Sequence, residues 1–405
     1  MKTIQVLFAI SLLAAITSCN QKSEMSEWKK YPPELIKLSD RLTGASIQQL
    51  TNYKGNSHHF YFTNPGWFDS DQKLLFSSDR NNRTNLCAID LNNYNIQQLT
   101  DLEPLSLPLE IEFFSACTNP VREEAFFWHG TELISLDLNN QQSSVIFEME
   151  PGWTNSMTSC TADGKYVIFS ITEDLSHLFE VDVLRGYVGF KETWEAKPHS
   201  KIIRVASNGS GYEVLFEEKY WIGHVNTSPT QSHLITFCHE GPWDKVDNRI
   251  WCLNTETKEI WKIRPRMQEG ERVGHEYWYA DGETIGFHGN REDGSAFLGH
   301  IRYDNTALVE AEFSSYPGHI HSNDKNLIVG DGGGVIKLWK WNGKTYDGPR
   351  ILCEHKSSLK TQHSHPHPRF NAAGNKVLYT SDVTGYCNVY LVDLKEFESL
   401  PTSDE

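Results

Sequence analysis

The sequence predicts an all-β fold, a seven-bladed β-propeller, from its length, its short apolar runs and a recurring turn. With 405 residues, the chain exceeds the ~250–300 residues at which a single hydrophobic core usually stops growing. Short apolar runs alternate with clusters of turn residues, and long stretches of helical periodicity are scarce. A small sheet repeated around a central axis reconciles this length with one domain.

Turns precede the predicted strands, and the last four of these turns are evenly spaced along the chain. Runs suited to buried strands each follow a turn, and they occupy residues 73–78, 165–171, 233–239, 326–332 and 376–382. The last four turns recur at about 45–50 residues, a period typical of propeller blades, and about seven blades fit residues 40–400. Two β-sandwich domains are the alternative, but they would not explain the recurring turn.

The composition narrows the classes of function. Hydrophobic residues make up 39% of the chain and charged residues 22%, which is enough to bury a core and excludes global disorder. The net charge of −16 argues against nucleic-acid binding, which needs a cationic surface. An anionic ligand would therefore need a site that concentrates positive charge locally. The 17 histidines are the unusual part of the composition.

The N-terminal segment has the pattern of a bacterial lipoprotein signal. Residues 1–18 contain Lys2, a short apolar run and then small residues, so we predict a signal peptide that is too short to span a membrane. Cys19 is the expected lipidation site, and residues 19–39 are the expected lipidated tether. The alternative is an ordinary signal peptide with an incidental cysteine. We expect a periplasmic or outer-membrane protein whose only membrane contact is the lipid anchor.

The other cysteines favour buried apolar positions. They show no C-x-x-C spacing, which argues against a zinc ribbon or a dense disulfide framework. We therefore expect buried thiols at Cys87, Cys117, Cys160, Cys238, Cys252, Cys353 and Cys387.

Four histidines stand five or six residues before a predicted turn in consecutive blades. They are His224, His275, His319 and His367. If the turns are equivalent, these side chains come from the innermost strands and converge at one mouth of the central channel. A single histidine at this offset is more often structural, but four in a row favour a shared site.

The densest histidine segment covers residues 361–368. His365 and His367 are two residues apart, so they share a face on a strand. Gln362 adds an amide oxygen, and nitrogen with neutral oxygen suits Mn²⁺, Fe²⁺, Ni²⁺ or Zn²⁺. The alternative for this segment alone is fortuitous metal affinity at the surface.

A polar loop after the third predicted strand offers contacts for an anionic ligand. Arg249 has a guanidinium that suits a carboxylate, although pairing with Asp247 or Glu240 is an equally good interpretation. We assign substrate binding to His239 and Glu240 of this loop and to His58 and His224.

His275 differs from the other three histidines in its surroundings. It has no histidine two residues later, so it is a weaker metal ligand and a better proton acceptor. An imidazole with an ordinary pKa near ~6.5 is partly neutral at neutral pH and competent as a base.

At these residues the sequence resembles the oligogalacturonate lyases, propeller enzymes of pectin breakdown. The resemblance extends over most of the predicted mature chain. It rests on Cys238-His239-Glu240-Gly241-Pro242 with Asp247 and Arg249, Gly274-His275-Glu276-Tyr277-Trp278, His319-x-x-Ser322-Asn323, residues 327–332, Gln362-x-x-His365-Pro366-His367-Pro368, Ser381-Asp382, and Ser57-His58 with Tyr61 or Phe62.

The resemblance implies a divalent metal, usually manganese, held by three histidines and a glutamine. By position these are His319, Gln362, His365 and His367, with His321 as a rival to His319. It also implies His275 as the base and Arg249 as an active-site cation. The implied reaction is β-elimination on a short oligogalacturonide, which gives a 4,5-unsaturated uronate and needs no water.

Two features depart from the family. The best-known members of the family are cytoplasmic and act on short imported oligomers, whereas this chain carries the lipoprotein-like signal. The segment between His319 and Gln362 is also shorter than in the family, which leaves the chain length and the identity of the sugar open. The alternatives are a lyase on another uronate oligosaccharide, a hydrolase with the same metal site and a non-catalytic glycan-binding propeller.

Overall fold

The computed structural model describes residues 29–105, 113–313 and 315–402. The strands of these residues form seven antiparallel sheets, so the predicted seven-bladed β-propeller is confirmed. The predicted signal peptide, Cys19 and residues 19–28 of the predicted tether lie outside the described residues. In the described part of the chain, no helix combines the length and the hydropathy required to cross a bilayer.

Three short strands precede the first complete blade and are added to sheets formed later in the chain. They are β1 (Lys30–Tyr31), β2 (Ile36–Ser39) and β3 (Ser46–Gln49). Blade 1 contains β4 (Ser57–His58), β5 (Trp67–Phe68), β6 (Lys73–Ser78), β7 (Asn85–Asp90) and β8 (Ile96–Gln98). Blade 2 contains β9 (Cys117–Thr118), β10 (Glu124–His129), β11 (Glu132–Asp137) and β12 (Ser143–Glu148).

Each of the next three blades is a sheet of four strands in sequence order. Blade 3 contains β13 (Trp153–Cys160), β14 (Tyr166–Glu173), β15 (His199–Ala206) and β16 (Tyr212–Lys219), with helix α1 (Phe190–Ala196) between β14 and β15. Blade 4 contains β17 (Ile222–Thr227), β18 (Leu234–His239), β19 (Ile250–Asn254) and β20 (Ile260–Ile263). Blade 5 contains β21 (Arg272–Trp278), β22 (Thr284–Asn290), β23 (Ala296–Arg302) and β24 (Val309–Phe313).

The last two blades complete the ring. Blade 6 contains β25 (Ile320–His321), β26 (Leu327–Gly330), β27 (Val335–Trp341) and β28 (Tyr346–Glu354). Blade 7 contains β29 (Arg369–Phe370), β30 (Lys376–Ser381) and β31 (Asn388–Asp393). Short 3₁₀ turns occur at Arg80–Asn82, Gly332–Gly334, Gln362–Ser364 and Phe397–Ser399.

The N-terminal strands close the ring on the C-terminal blade. Strand β3 pairs with β31, with Ile47 opposite Val392, and β2 pairs with β3 at the outer edge. Strand β1 pairs with β8 at the outer edge of blade 1. The predicted boundary at residue 40 is therefore wrong, because residues 30–31 and 36–39 of the expected tether belong to blades. Residues 36–39 alternate apolar and polar side chains, a pattern that suits a mostly exposed edge strand.

Apolar side chains fill the spaces between neighbouring blades, since a blade buries its faces only against other blades. Ile47, Val329, Leu338 and Val392 belong to one such cluster between blades 6 and 7. The seven cysteines expected to be buried are all buried. The interpretation of these cysteines as core residues is confirmed.

Removal of the Ile47 side chain should destabilise the ring closure. Ile47 is 6% exposed, so we expect Ile47→Ala to lower the free energy of unfolding by about 2–4 kcal/mol through lost burial and a residual cavity. Leu38→Ala, on the neighbouring strand at 44% exposure, is the control and should change it by less than about 0.5 kcal/mol. Denaturant titration measures both, and equal effects would contradict the closing role of β3.

Candidate metal centre and active site

The histidines of the inner strands gather around one centre. The ring centroid of His319 lies 4.4 Å from that of His275 and 4.3 Å from that of His367. His224 lies next to Tyr61, with centroids 5.5 Å apart, and Tyr61 also contacts His367 at 4.8 Å. The four blades therefore bring these side chains to one place, with Tyr61 between His224 and the rest.

Unusual backbone conformations aim three of these histidines at the centre. His224, His275 and His367 have φ angles of 46°, 51° and 47°, in the left-handed region that non-glycine residues rarely adopt. The pairing register shifts around His224 between Gly223 and Asn226, and around His275 between Gly274 and Tyr277. A bulge of this kind redirects a side chain and is typical of functional sites.

Three imidazoles form a group that fits a divalent metal ion. One ring nitrogen from each of His319, His365 and His367 lies within 4.8 Å of the others. The Nδ1 atom of His365 and the Nε2 atom of His367 are buried and have no hydrogen-bond partner. Burial lowers the pKa of His365 to about 4 and that of His367 well below its usual range, so both rings are neutral. Neutral nitrogens without partners are the donors that a metal ion requires.

In two of these rings, a hydrogen bond fixes the proton on one nitrogen and leaves the other nitrogen free to bind a metal ion. His365 Nε2 lies 3.3 Å from the Leu359 carbonyl oxygen, which only accepts, so the proton belongs on Nε2 and the lone pair on Nδ1. His319 Nδ1 lies 3.1 Å from a carboxylate oxygen of Asp331, so its lone pair is on Nε2. Each ring thus directs one lone pair away from its protein partner.

Asp331 organises this group, although no sequence motif predicted a role for it. Its carboxylate also accepts the backbone N–H groups of His319 at 2.7 Å and His367 at 3.2 Å. Burial opposes its ionisation, but the neighbouring His319 holds the pKa of Asp331 below its usual value. Gly318 has a φ of 70°, and a Cβ atom there would collide with Asp331 Oδ1. The sequence feature that could have identified Asp331 is its position as an acidic residue directly after strand β26.

The structure separates His319 from its rival. His321 is buried, its Nδ1 accepts the backbone N–H of Phe370 at 3.3 Å, and its ring stacks on Tyr277. It is not a member of the three-imidazole group. The geometry therefore favours His319.

Gln362 lies in a 3₁₀ turn, and its side-chain amide points to another segment. Its Nε2 donates to the hydroxyl of Tyr187 at 2.9 Å, and its backbone N–H donates to the Leu184 carbonyl. The amide oxygen, which is the atom that would bind a metal, is outside these hydrogen bonds.

His275 has a fixed tautomer and a second histidine behind it. Its Nδ1 lies 2.8 Å from the Gly318 carbonyl oxygen and 2.8 Å from His288 Nε2. Because a carbonyl only accepts, the neutral ring carries its proton on Nδ1 and a lone pair on Nε2. Burial, followed by His319 and His288, lowers the pKa of His275 well below its usual range. His288 was missed because nothing in its local sequence indicates a partner in the preceding strand.

Arg249 is a buried ion-paired residue. Its Nη1 donates to Glu240 at 2.7 Å, and its Nε donates to Glu276 at 3.3 Å. The alternative interpretation, a pair with Glu240, is the one that the structure supports, whereas Asp247 pairs with His239. Two carboxylates offset the guanidinium, so Arg249 does not supply the unbalanced positive charge that we expected of it.

Glu240 and His224 belong to the same buried network. His224 Nε2 lies 3.2 Å from Glu240, and despite burial Arg249 and His224 hold the pKa of Glu240 well below its usual value. Ligand atoms of His224, Cys238 and Glu240 also come within 4.8 Å of one another. The guanidinium of Arg249 on Glu240 opposes a second cation there.

His239 is locked into the fold of blade 4. Its Nδ1 lies 2.5 Å from Asp247 and its Nε2 lies 2.7 Å from Glu218. Its ring stacks on that of Tyr220 with centroids 3.9 Å apart and is tilted against that of Trp251 at 4.7 Å. Both nitrogens are used by the protein, which favours a structural role over the predicted substrate contact.

His58 is also buried, at the inner edge of blade 1. Its ring lies 6.0 Å from that of His363 and 6.3 Å from that of Phe114. The chain after His58 enters the centre of the molecule, where Tyr61 and Phe62 contact the clustered histidines. This interruption of the inner strand between β4 and β5 was not predicted.

The His239 network should make stability depend on pH. Although burial opposes the charge, Asp247 and Glu218 raise the pKa of His239, while Asp247 also faces Lys262. The stability that protonated His239 gives to the folded state is fully present below the pKa of ~6.5 of an unfolded histidine. It is lost as the pH rises through the higher pKa that His239 has in the folded state. We expect His239→Gln to be less stable than the parent at about pH 6 and the difference to shrink as the pH rises above ~6.5, measured by thermal unfolding. His233→Gln is the control, and a difference that grows with pH would contradict the charged state.

Comparisons with known proteins agree with the motifs. A family model described as oligogalacturonate lyase matches residues 25–346. The oligogalacturonide lyase of Pectobacterium atrosepticum is 26% identical over 404 residues, covering 92% of this chain and 99% of that protein. The oligogalacturonate lyase of Dickeya dadantii is 24% identical over 403 residues, with coverage of 92% and 99%.

Two solved structures share the fold. One is an oligogalacturonate lyase in complex with manganese, with a TM-score of 0.81, 24% identity, and coverage of 91% of this chain and 98% of that chain. The other is an oligogalacturonate lyase from Vibrio parahaemolyticus, with a TM-score of 0.80, 22% identity, and coverage of 91% and 99%. Since the family model matches most of the chain, the protein belongs to the oligogalacturonate lyase family.

Proposed function

We propose that this protein is a metal-dependent lyase that cleaves short oligogalacturonides by β-elimination. The observation that carries the proposal is the group of His319, His365 and His367 next to His275, whose tautomer leaves Nε2 free to take a proton. Membership of the oligogalacturonate lyase family supplies the substrate class. The paired carboxylates of most glycoside hydrolases are not required for this reaction.

The proposed metal is Mn²⁺, held by His319, His365 and His367 with Gln362 as a fourth ligand. The unpartnered ring nitrogens of the group support this assignment, and so does the manganese complex of a relative with the same fold. A divalent cation here would offset the negative charge that develops on the uronate carboxylate when the neighbouring C5 proton is removed.

In the proposed reaction, His275 Nε2 takes the C5 proton of the bound uronate. The electron pair of the C5–H bond forms the double bond between C4 and C5, and the C4–O bond breaks with its electron pair on the departing oxygen. The Gly318 carbonyl and His288 hold the ring through Nδ1. The proton is thus received at one nitrogen while the other keeps its hydrogen bond.

Trp243 connects the proposed base to the buried ion pairs. Its ring lies edge-on to His275 with centroids 5.0 Å apart, and the Arg249 guanidinium lies 5.7 Å from its centroid. The indole packs so closely against Gly274 that a Cβ atom there would collide with it. We assign Arg249, with Glu240 and His224, to one wall of the substrate site.

We further propose that the protein works at a membrane surface, attached through lipidated Cys19 in the periplasm or on the outer membrane. The support for this location is the signal-like pattern of residues 1–18.

The proposed reaction has a direct optical readout. Incubation with digalacturonate and Mn²⁺ should raise the absorbance near ~235 nm, because elimination creates a conjugated double bond while hydrolysis does not. Trigalacturonate and other oligouronates serve as parallel substrates. Binding of these oligosaccharides without any rise in absorbance would reject the lyase and favour a glycan-binding propeller.

Substitution of the proposed base should separate chemistry from metal binding. We expect His275→Ala to lower kcat by about 10²–10⁴-fold, since it removes the proton acceptor, and to retain bound metal. Metal content by elemental analysis accompanies the absorbance assay. Loss of the metal from this variant would show that His275 is a ligand rather than a base.

The Asp331 carboxylate should tune metal affinity. We expect Asp331→Asn to weaken Mn²⁺ binding by about 10–100-fold, because an amide oxygen holds the His319 ring less strongly than a carboxylate does. Asp347→Asn, at an exposed position of the same blade, is the matched control. Isothermal titration with Mn²⁺ gives both affinities, and an unchanged affinity in Asp331→Asn would contradict this role.

A further inference from the structure

An unusually long connection in blade 3 reaches the segment that carries the proposed metal ligands. Residues 174–198, here called the strap, join β14 to β15 and include helix α1. Leu184 of the strap accepts the backbone N–H of Gln362 at 3.2 Å, and Tyr187 accepts its side-chain amide at 2.9 Å. The strap therefore links blade 3 to blade 7 beside the histidine group.

Tyr187 is held firmly although its ring is exposed. Its side chain is 53% exposed, and its hydroxyl is bonded to Gln362. Its ring lies edge-on to Phe190 with centroids 5.7 Å apart, and Phe190 lies 5.1 Å from Trp221, the residue just before β17 of blade 4. An aromatic ring supported along its edge and open to solvent can accept a flat apolar partner without losing much conformational freedom.

Tyr316 is a second exposed ring at the same site. It is 63% exposed and precedes His319 by three residues. Its ring lies edge-on to His288, with centroids 6.2 Å apart and an angle of 81°, and His288 is the partner of His275. Partial burial of the side chain, then the charge of Asp331 and the nearby Tyr187, raise the pKa of Tyr316. Tyr187 thus contacts a proposed metal ligand, and Tyr316 contacts the histidine that partners the proposed base.

Single exposed aromatic residues are ordinary on protein surfaces, so exposure alone would mean little. Tyr212 is 64% exposed, but it lies on the outer strand of blade 3, against Phe147. Tyr187 and Tyr316 differ from it because each contacts a residue of the proposed active site. Sugar rings present apolar C–H faces, and the flat face of a tyrosine is a suitable surface for them.

We propose that Tyr187 and Tyr316 form a saccharide subsite that takes the sugar ring next to the uronate at the histidine group. The inference rests on the proposed lyase function and adds a binding role for two residues to it. An aromatic subsite fits the charge of the protein, because contact with C–H groups needs no cation and the chain carries a net charge of −16. Both residues act in binding, and neither takes part in the proton transfer.

The test compares a substrate that fills the subsite with a ligand that does not. Tyr187→Ala and Tyr316→Ala should each raise KM for digalacturonate by about fivefold or more, with kcat within about twofold. The inhibition constant of monomeric galacturonate, which occupies only the histidine group, should change by less than about twofold. Tyr187→Phe keeps the ring and should retain the parental KM, and Tyr212→Ala is the matched control.

Results that differ from these expectations would reject the proposed saccharide subsite. Equal losses for the monomer and the dimer would indicate a general disturbance of the site, and a loss in Tyr187→Phe as large as in Tyr187→Ala would indicate that Tyr187 acts by positioning Gln362. If the parent protein shows no turnover, the proposed function fails, and calorimetric binding of digalacturonate to the same variants still decides the subsite. Unchanged dimer affinity in both alanine variants would overturn it.

Discussion

The pairing of β3 with β31 is the contact on which the candidate site depends. It joins the two ends of the chain in one sheet, so that blade 7 packs against both blade 6 and blade 1. His365 and His367 come from the segment that leads into blade 7, while His319 comes from blade 6. A ring without this closure would leave an apolar sheet face exposed between its ends, and the histidines would lose their fixed distances.

Within this frame, the centre combines strained backbone with groups that are costly to bury. Left-handed conformations at His224, His275 and His367 cost on the order of 1–3 kcal/mol each. Buried polar atoms add to this cost unless they are bonded, and two ring nitrogens are not. Asp331 and the packing of Tyr61 and Phe62 hold the arrangement in place. The strained and unbonded groups are thus concentrated where ligands would bind.

The charges around the centre are balanced by the protein itself. Arg249 is offset by Glu240 and Glu276, and the imidazoles of His275, His365 and His367 are held neutral by burial. In the proposed function, a bound cation is therefore the source of positive charge for a uronate carboxylate. The subsite proposed at Tyr187 and Tyr316 is consistent with this balance, since an aromatic contact to a sugar ring needs no counter-charge.

The sequence by itself determined the propeller, the family and the set of histidines at the centre, because turns, strand patterns and motifs are local features. Only the tertiary structure revealed Asp331 and His288 as partners, Arg249 as an ion-paired residue and His239 as part of the fold. It also showed that the propeller begins at Lys30 and not at the predicted residue 40. These features depend on contacts between residues on different strands and loops, and a pattern read along one sequence does not contain the distances between them.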